Sequence, residues 1–239
     1  MPAVKINQEI ADFTVALEAL STPERAAGEK RYLKSDLHHL GAPVPAIRKT
    51  ARKWLRAHPD LGREDLLRLA RALFRRRVHE LRGIATHLLM QRESLLEARD
   101  VELLEDLLRR SKTWVHVDNL SAHVVGPLFE RCPELGRTLD RWAEDEDFWI
   151  RRSSMLALLL ALRRGEGDWN RFVRYADGML EEKEFFIRKA IGWVLRETAK
   201  VNPERVEEYL AARLDRVSGL TLREGAKYLP EKARRRLLP

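Results

Sequence analysis

Six times along the 239-residue chain an aliphatic residue is followed by a basic one at nearly constant spacing. The pairs are Ile47-Arg48, Leu81-Arg82, Val115-His116, Ile150-Arg151, Ile187-Arg188 and Leu222-Arg223, with successive separations of 34, 34, 35, 37 and 35 residues. A period of this length with no strand signals is the mark of a helical-repeat array. In every copy except the third, apolar or small residues follow at offsets +4 and +7, and at +8 in most, as in Ala85, Leu88 and Leu89 or Ile191, Val194 and Leu195. That is the buried stripe of a helix.

Other helices start between the anchored ones. Thr22-Pro23-Glu24, Cys132-Pro133-Glu134 and Asn202-Pro203-Glu204 each put proline in a first turn with an acid beside it. Each repeat therefore reads as a helical hairpin, and the chain as an all-α solenoid of about six HEAT-like hairpins in one domain spanning 1–239. Residues 1–40 precede the register and are expected to form capping helices, joined through the turn-rich HHLGAPVP at 38–45 to repeats that fill about 41–239. Composition agrees, since only 12 of the residues are glycine and 34% are charged.

Charge and cysteine content narrow the function. Lys+Arg 45 against Asp+Glu 37 leaves a formal charge of +8, which favours a polyanionic partner. The single cysteine, Cys132, excludes an intramolecular disulfide and suits a small apolar role before Pro133 better than that of a nucleophile. The N-terminus lacks the apolar run of a signal peptide, so a cytoplasmic protein is expected; a monomer is expected as well. The most apolar run, MLALLLAL, is far too short to span a bilayer, and no membrane association is expected. No histidine has a companion cysteine or acid at metal-ligand spacing, and no phosphate-binding glycine loop occurs; neither a metal nor another cofactor is expected.

With each anchor at 0° and roughly 100° per residue, offsets −1, +2, +3 and +6 fall outside the core stripe, on an arc expected to be open. That arc collects Trp114 and Asp118 in repeat three, Trp149 and Arg152 in repeat four, and Phe186, Lys189 and Trp193 in repeat five. Lys49 and Lys53 occupy it in repeat one. Cations with interleaved aromatics suit nucleic acid, through phosphate neutralisation and stacking. A lone carboxylate among them repels phosphate, so Asp118 makes sense where positive charge develops beside it; read alone, it could also be a surface acid or the partner of an arginine. Trp149 and Phe186 could equally pack or face the ligand. The +1 column, Arg48, Arg82, Arg151, Arg188 and Arg223, lies at the edge of the core stripe and is expected to pack between repeats.

The segments TWVHVDNL, FWIRRSSML and FFIRKAIGWVLRE, with YLKSDLHHLGAPVPAIRK near the start, resemble the AlkD-type DNA alkylation repair glycosylases over nearly the whole chain. The resemblance implies a right-handed HEAT-like solenoid with a concave DNA-binding groove. It also implies a monofunctional glycosylase that excises cationic N3- or N7-alkylated purines, 3-methyladenine and 7-methylguanine, from double-stranded DNA without base flipping. The family's tryptophan and aspartate pair falls on Trp114 and Asp118, its groove arginine on Arg152 and its second tryptophan on Trp193. Asp118, Trp114 and Trp193 are thereby expected to be catalytic. Arg152, Lys49 and Lys189, together with Tyr32 and Lys34 of the N-terminal phosphate-contacting region, are expected to hold DNA. Relatives often carry an acid directly after the first tryptophan, whereas here Val115 is read as the core anchor with His116 after it. A catalytically silent DNA-structure binder and a protein-binding scaffold are the alternatives.

Overall fold

The computed structural model describes residues 4–238, and these are helical, with no β-strand among them beyond an isolated parallel bridge between His38 and Val78. They group into two compact units, one ending at Leu120 and the other beginning at Ser121.

The N-terminal unit contains α1 (Ile6–Glu18), α2 (Pro23–Leu33), α3 (Val44–Ala57), α4 (Arg63–Arg75), α5 (His79–Gln91), α6 (Val101–Ser111) and α7 (Trp114–Leu120). The expected capping segment is α1 with α2, and Thr22 starts α2 as its sequence suggests, its side chain accepting the Arg25 amide at 3.2 Å with Pro23 in the first turn. Repeat one places Ile47, Ala51, Trp54 and Leu55 of α3 in the core, and repeat two buries Leu81, Ala85, Leu88 and Leu89 of α5. Against α5 lies α4, whose Leu66, Leu69, Ala70, Leu73 and Phe74 sit three and four residues apart and have no solvent exposure. Each such leucine or phenylalanine contributes about 1.5–3 kcal/mol through burial.

The HHLGAPVP connection is tied down by a buried acid. Glu80 has no solvent exposure, and its carboxylate accepts the backbone amides of Leu40 at 3.0 Å and Gly41 at 2.7 Å. Gly41 is required there, because its φ of +93° is left-handed and a Cβ would sit 2.2 Å from the Thr22 carbonyl oxygen.

The C-terminal unit begins with a π turn, Ser121–Val125, and continues through α8 (Gly126–Arg131), α9 (Gly136–Ala143), α10 (Phe148–Leu156), α11 (Leu159–Arg163), α12 (Trp169–Met179), α13 (Phe185–Thr198), α14 (Pro203–Ala211), α15 (Gly219–Gly225) and α16 (Glu231–Leu237). Its helix starts are capped by side chains: Asp168 accepts from the Arg171 amide, Asn202 from that of Arg205, and Ser218 from that of Thr221. Cys132-Pro133-Glu134 opens a 3-10 turn, Pro133–Leu135, that leads into α9. Ile150, Ile187, Ile191, Val194 and Leu195 are all fully buried. Helix α13 lies very close to α15 at Gly192, where a Cβ would approach that of Glu224 to 2.6 Å.

Two copies slip from the expected register. In the third, the buried residues of α7 are His116, Val117 and Leu120, while Val115 is half-buried, so His116 rather than Val115 faces the core. The cause is visible on either side of the imidazole, whose ring lies 4.8 Å from that of His79 and meets Phe74 edge-on at 6.1 Å. In the sixth copy Thr221 is fully buried and Leu222 half-buried, a slip of one residue in the opposite direction.

The arc expected to be open is largely covered. Glu80 and Trp149 at offset −1, Ile84 and Ser153 at +3, and Arg152 at +2 are all buried. An anchored helix inside a stack of hairpins has a neighbouring repeat on either flank, so the positions beside its core stripe pack laterally rather than meeting solvent. The arginines at +1 show how. The Arg82 guanidinium donates to the Arg76 and Arg110 carbonyls, Arg151 to the Asp145 carbonyl and to Glu182 of the next repeat, and Arg188 to the Glu182 carbonyl. These satisfy carbonyls that helix ends leave without partners. Arg48 and Arg223 remain exposed.

Candidate nucleic-acid interface

Trp114 opens α7 two residues after Lys112, whose φ of +53° turns the chain out of α6. Asp118 follows four residues later, one helical turn along the same face. Both are half-buried. Because the core stripe of α7 is centred on His116 and Val117, Asp118 falls farther round the helix from the core than a Val115 anchor would have put it. The Trp114 ring is met edge-on by Tyr32, with centroids 6.1 Å apart and planes at 82°. Tyr32 is 74% exposed near the end of α2, and Lys34, exposed and left-handed at φ 47°, caps the same helix. The N-terminal unit thus brings Tyr32, Trp114 and Asp118 into one neighbourhood, and Lys49 is exposed on α3.

In the C-terminal unit the expected residues are more deeply engaged. Arg152 is only 4% exposed; its Nη1 donates to the Phe186 carbonyl and its guanidinium lies 5.9 Å from the Phe186 ring centre. It is therefore placed inside the packing of α10 against α13, not on an open face. Trp149 and Phe186 belong to that packing too: their rings are 4.8 Å apart, with Phe148 4.5 Å from Trp149 and Phe185 5.3 Å from Phe186. Lys189 is half-buried and paired with Glu224 at 2.6 Å. The hydrogen bond from Lys189, with Arg196 nearby, holds the Glu224 carboxyl below its ordinary pKa. Trp193, four residues beyond Lys189 on α13, is half-buried.

Over residues 14–229 the sequence matches the family described as DNA alkylation repair enzyme. The chain belongs to that family. A DNA alkylation repair role, and with it DNA binding, follows from membership. Among solved structures it is similar to the "Predicted DNA alkylation repair enzyme from Enterococcus faecalis", at 26% identity and a TM-score of 0.79, covering 88% of this chain and 97% of that one. It also shares a fold with AlkD2 from Streptococcus mutans, at 15% identity and a TM-score of 0.58, covering 86% and 98% of the two chains. No curated protein matches the sequence significantly. Among the described residues no helix is long and apolar enough to cross a membrane.

Sequence reasoning missed a second polar cluster of this family member. His39 and His79 stack 4.5 Å apart with planes 10° from parallel, His116 adjoins His79, and Glu29 of α2 lies close enough for its carboxylate and both imidazoles to share a ligand. Glu29, His39 and His79 are separated by 10 and 40 residues, so no local spacing signals the group.

Proposed function

We propose that this protein is a monofunctional DNA glycosylase that hydrolyses the N-glycosidic bond of cationic N3- or N7-alkylated purines in duplex DNA, without flipping the base. The observation that carries this reading is the placement of Trp114 and Asp118 one turn apart on α7, with the exposed Tyr32 against the Trp114 edge. It gives one helix face a carboxylate, and an indole whose π face attracts positive charge.

The chemistry suits a substrate that is already cationic. When the C1′–N9 bond of 7-methyl-2′-deoxyguanosine in DNA breaks, both bonding electrons go to the purine, which leaves neutral and needs no general acid. Positive charge passes to the deoxyribose as an oxocarbenium-like ion. A carboxylate beside that sugar stabilises the charge as it grows and accepts a proton from the water that attacks C1′. Asp118 takes that part. Trp114 and Trp193 brace the lesion nucleotide, and Tyr32, Lys34, Lys49 and Lys189 serve phosphate binding, while Arg152, buried against Phe186, acts indirectly by stiffening the α10 and α13 packing. No lysine imine is required, so the product is an intact abasic site.

The test is single-turnover release of 7-methylguanine from methylated duplex DNA at matched occupancy. Asp118→Asn preserves shape and removes charge, and a loss on the order of 10²-fold or more is expected, comparable to removing a transition-state donor. Equal rates would eliminate the carboxylate as catalyst. Salt-sensitive DNA binding with no release by the unmodified protein would select the silent DNA binder instead.

A further inference from the structure

We propose that Glu29, His39 and His79 form a binding site for one zinc-class divalent cation, which fastens the loop between α2 and α3 to the N-terminus of α5. Nothing in the glycosylase reading depends on it.

The unsatisfied atoms point to a ligand. Glu29 Oε2, both ring nitrogens of His39 and Nδ1 of His79 are buried without a hydrogen-bond partner. Both imidazoles are 5% exposed. Buried polar atoms are nearly always partnered, because each one left alone keeps its full desolvation cost. Here four such atoms gather in one place, and the three candidate ligand atoms lie within 4.8 Å of one another. His116 adds a further unpartnered nitrogen, Nε2, with its ring beside His79.

The donor set also has the right chemistry. Two imidazoles and one carboxylate are ordinary zinc ligands, and neutral imidazole is the binding form. Burial keeps these rings neutral, holding His39 below its usual value and taking His79 down to about 4. The buried acid Glu80 is occupied with the Leu40 and Gly41 amides, so it acts on the two rings only through space, where its charge opposes but does not overcome the effect of burial. Zinc bonds of about 2.0–2.2 Å set tetrahedral ligand atoms roughly 3.3 Å apart, so from separations of 4.8 Å or less the cluster must draw in by at most about 1.5 Å. Glu29 can supply part of that movement, since only its other oxygen is held, by Arg25 at 2.7 Å across a partly exposed helix face. The stacked rings supply the rest by turning about χ2 until their in-plane lone pairs converge. A water or His116 completes four-coordination.

The experiment uses the full chain without an affinity tag, stripped with a chelator, dialysed, and titrated with Zn(II) or Co(II). One equivalent of metal per chain after gel filtration, tetrahedral Co(II) absorption bands and a rise in Tm on adding Zn(II) are expected. Glu29→Gln changes a partly exposed side chain, and His39→Phe retains a ring for stacking while removing both nitrogens; circular dichroism verifies their folding. Each should weaken metal binding by at least about 10-fold, as even outer-sphere changes do. A wild-type protein that takes up no metal and shows no Tm rise overturns the proposal, and so does either folded variant that binds as tightly as wild type.

Discussion

Removal of the Glu80 carboxylate should unfasten the connection between α2 and α3. Its two oxygens accept backbone amides from Leu40 and Gly41, and the side chain is wholly shielded from solvent. Hydrogen bonds to an ionised group are worth about 1.5–3 kcal/mol each, so losing both would cost about 3–6 kcal/mol. Relief from burying a charge offsets part of this, and a loss of about 3 kcal/mol is the expected net for Glu80→Ala, at the lower end of what breaking a buried charged contact costs. For a chain of this size that lowers Tm by roughly 6–12 °C. Glu80→Gln retains one acceptor but turns an NH2 toward the other amide, so it should lose at least half as much. Chemical denaturation gives the free energy, and hydrogen exchange should show faster exchange at Leu40 and Gly41 before the rest of the unit is affected. A Glu80→Ala loss below about 1 kcal/mol, with unchanged exchange at those two amides, would show that the acid does not hold the loop.

Two further outcomes follow from the C-terminal unit and the indoles. Glu224 has a depressed pKa because Lys189 hydrogen-bonds its charged form, so its contribution is present above the ordinary glutamate range and disappears as pH falls through the folded value. Thermal scans of wild type and Glu224→Gln should therefore differ most near neutrality and converge in acid; a gap that widens in acid would contradict the assigned sign. Trp114→Ala and Trp193→Ala should each slow 7-methylguanine release more than the matching Phe variants, because Phe keeps part of the π face. If the folded Ala variants both retain the wild-type rate, the indoles are packing residues.

What was legible in the sequence depended on periodicity. Ile47, Leu81, Ile150 and Ile187 occupy the core as the 34- to 37-residue spacing requires, and the Thr22 and Asn202 caps lie where proline and an acid marked them. The third copy had already lost its +4 match at Asn119, and there the register slips. A histidine outcompetes a valine for the core because two other aromatic rings, from α4 and the start of α5, surround it, one edge-on and one tilted. No helical wheel of one segment contains that information. The same limit explains Arg152. A single-helix wheel places it outside the core stripe, but its carbonyl and ring partners both come from Phe186, one repeat later. The histidine and glutamate cluster lies further beyond reach, since it is assembled from a helix, a loop and another helix.

The placement of the cations changes how the net charge of +8 should be understood. Arg151 is committed to Glu182, Lys189 to Glu224, Arg82 to two carbonyls and Arg152 to a third, so these cations largely stitch repeats together. A guanidinium on a backbone carbonyl keeps its full charge, whereas one paired with a carboxylate has its far field largely cancelled. Arg82 therefore still contributes positive potential while fixed in place, whereas the fields of Arg151 and Lys189 are largely cancelled by Glu182 and Glu224. Under the proposed reading, direct counterion release on DNA binding falls mainly to exposed cations such as Lys34 and Lys49. Arg152 joins two helices, so Arg152→Lys would not be a conservative replacement: it keeps the charge but loses the planar fork that reaches the Phe186 carbonyl and ring together, and loosened packing of α10 against α13, read as a lowered Tm, is the expected outcome.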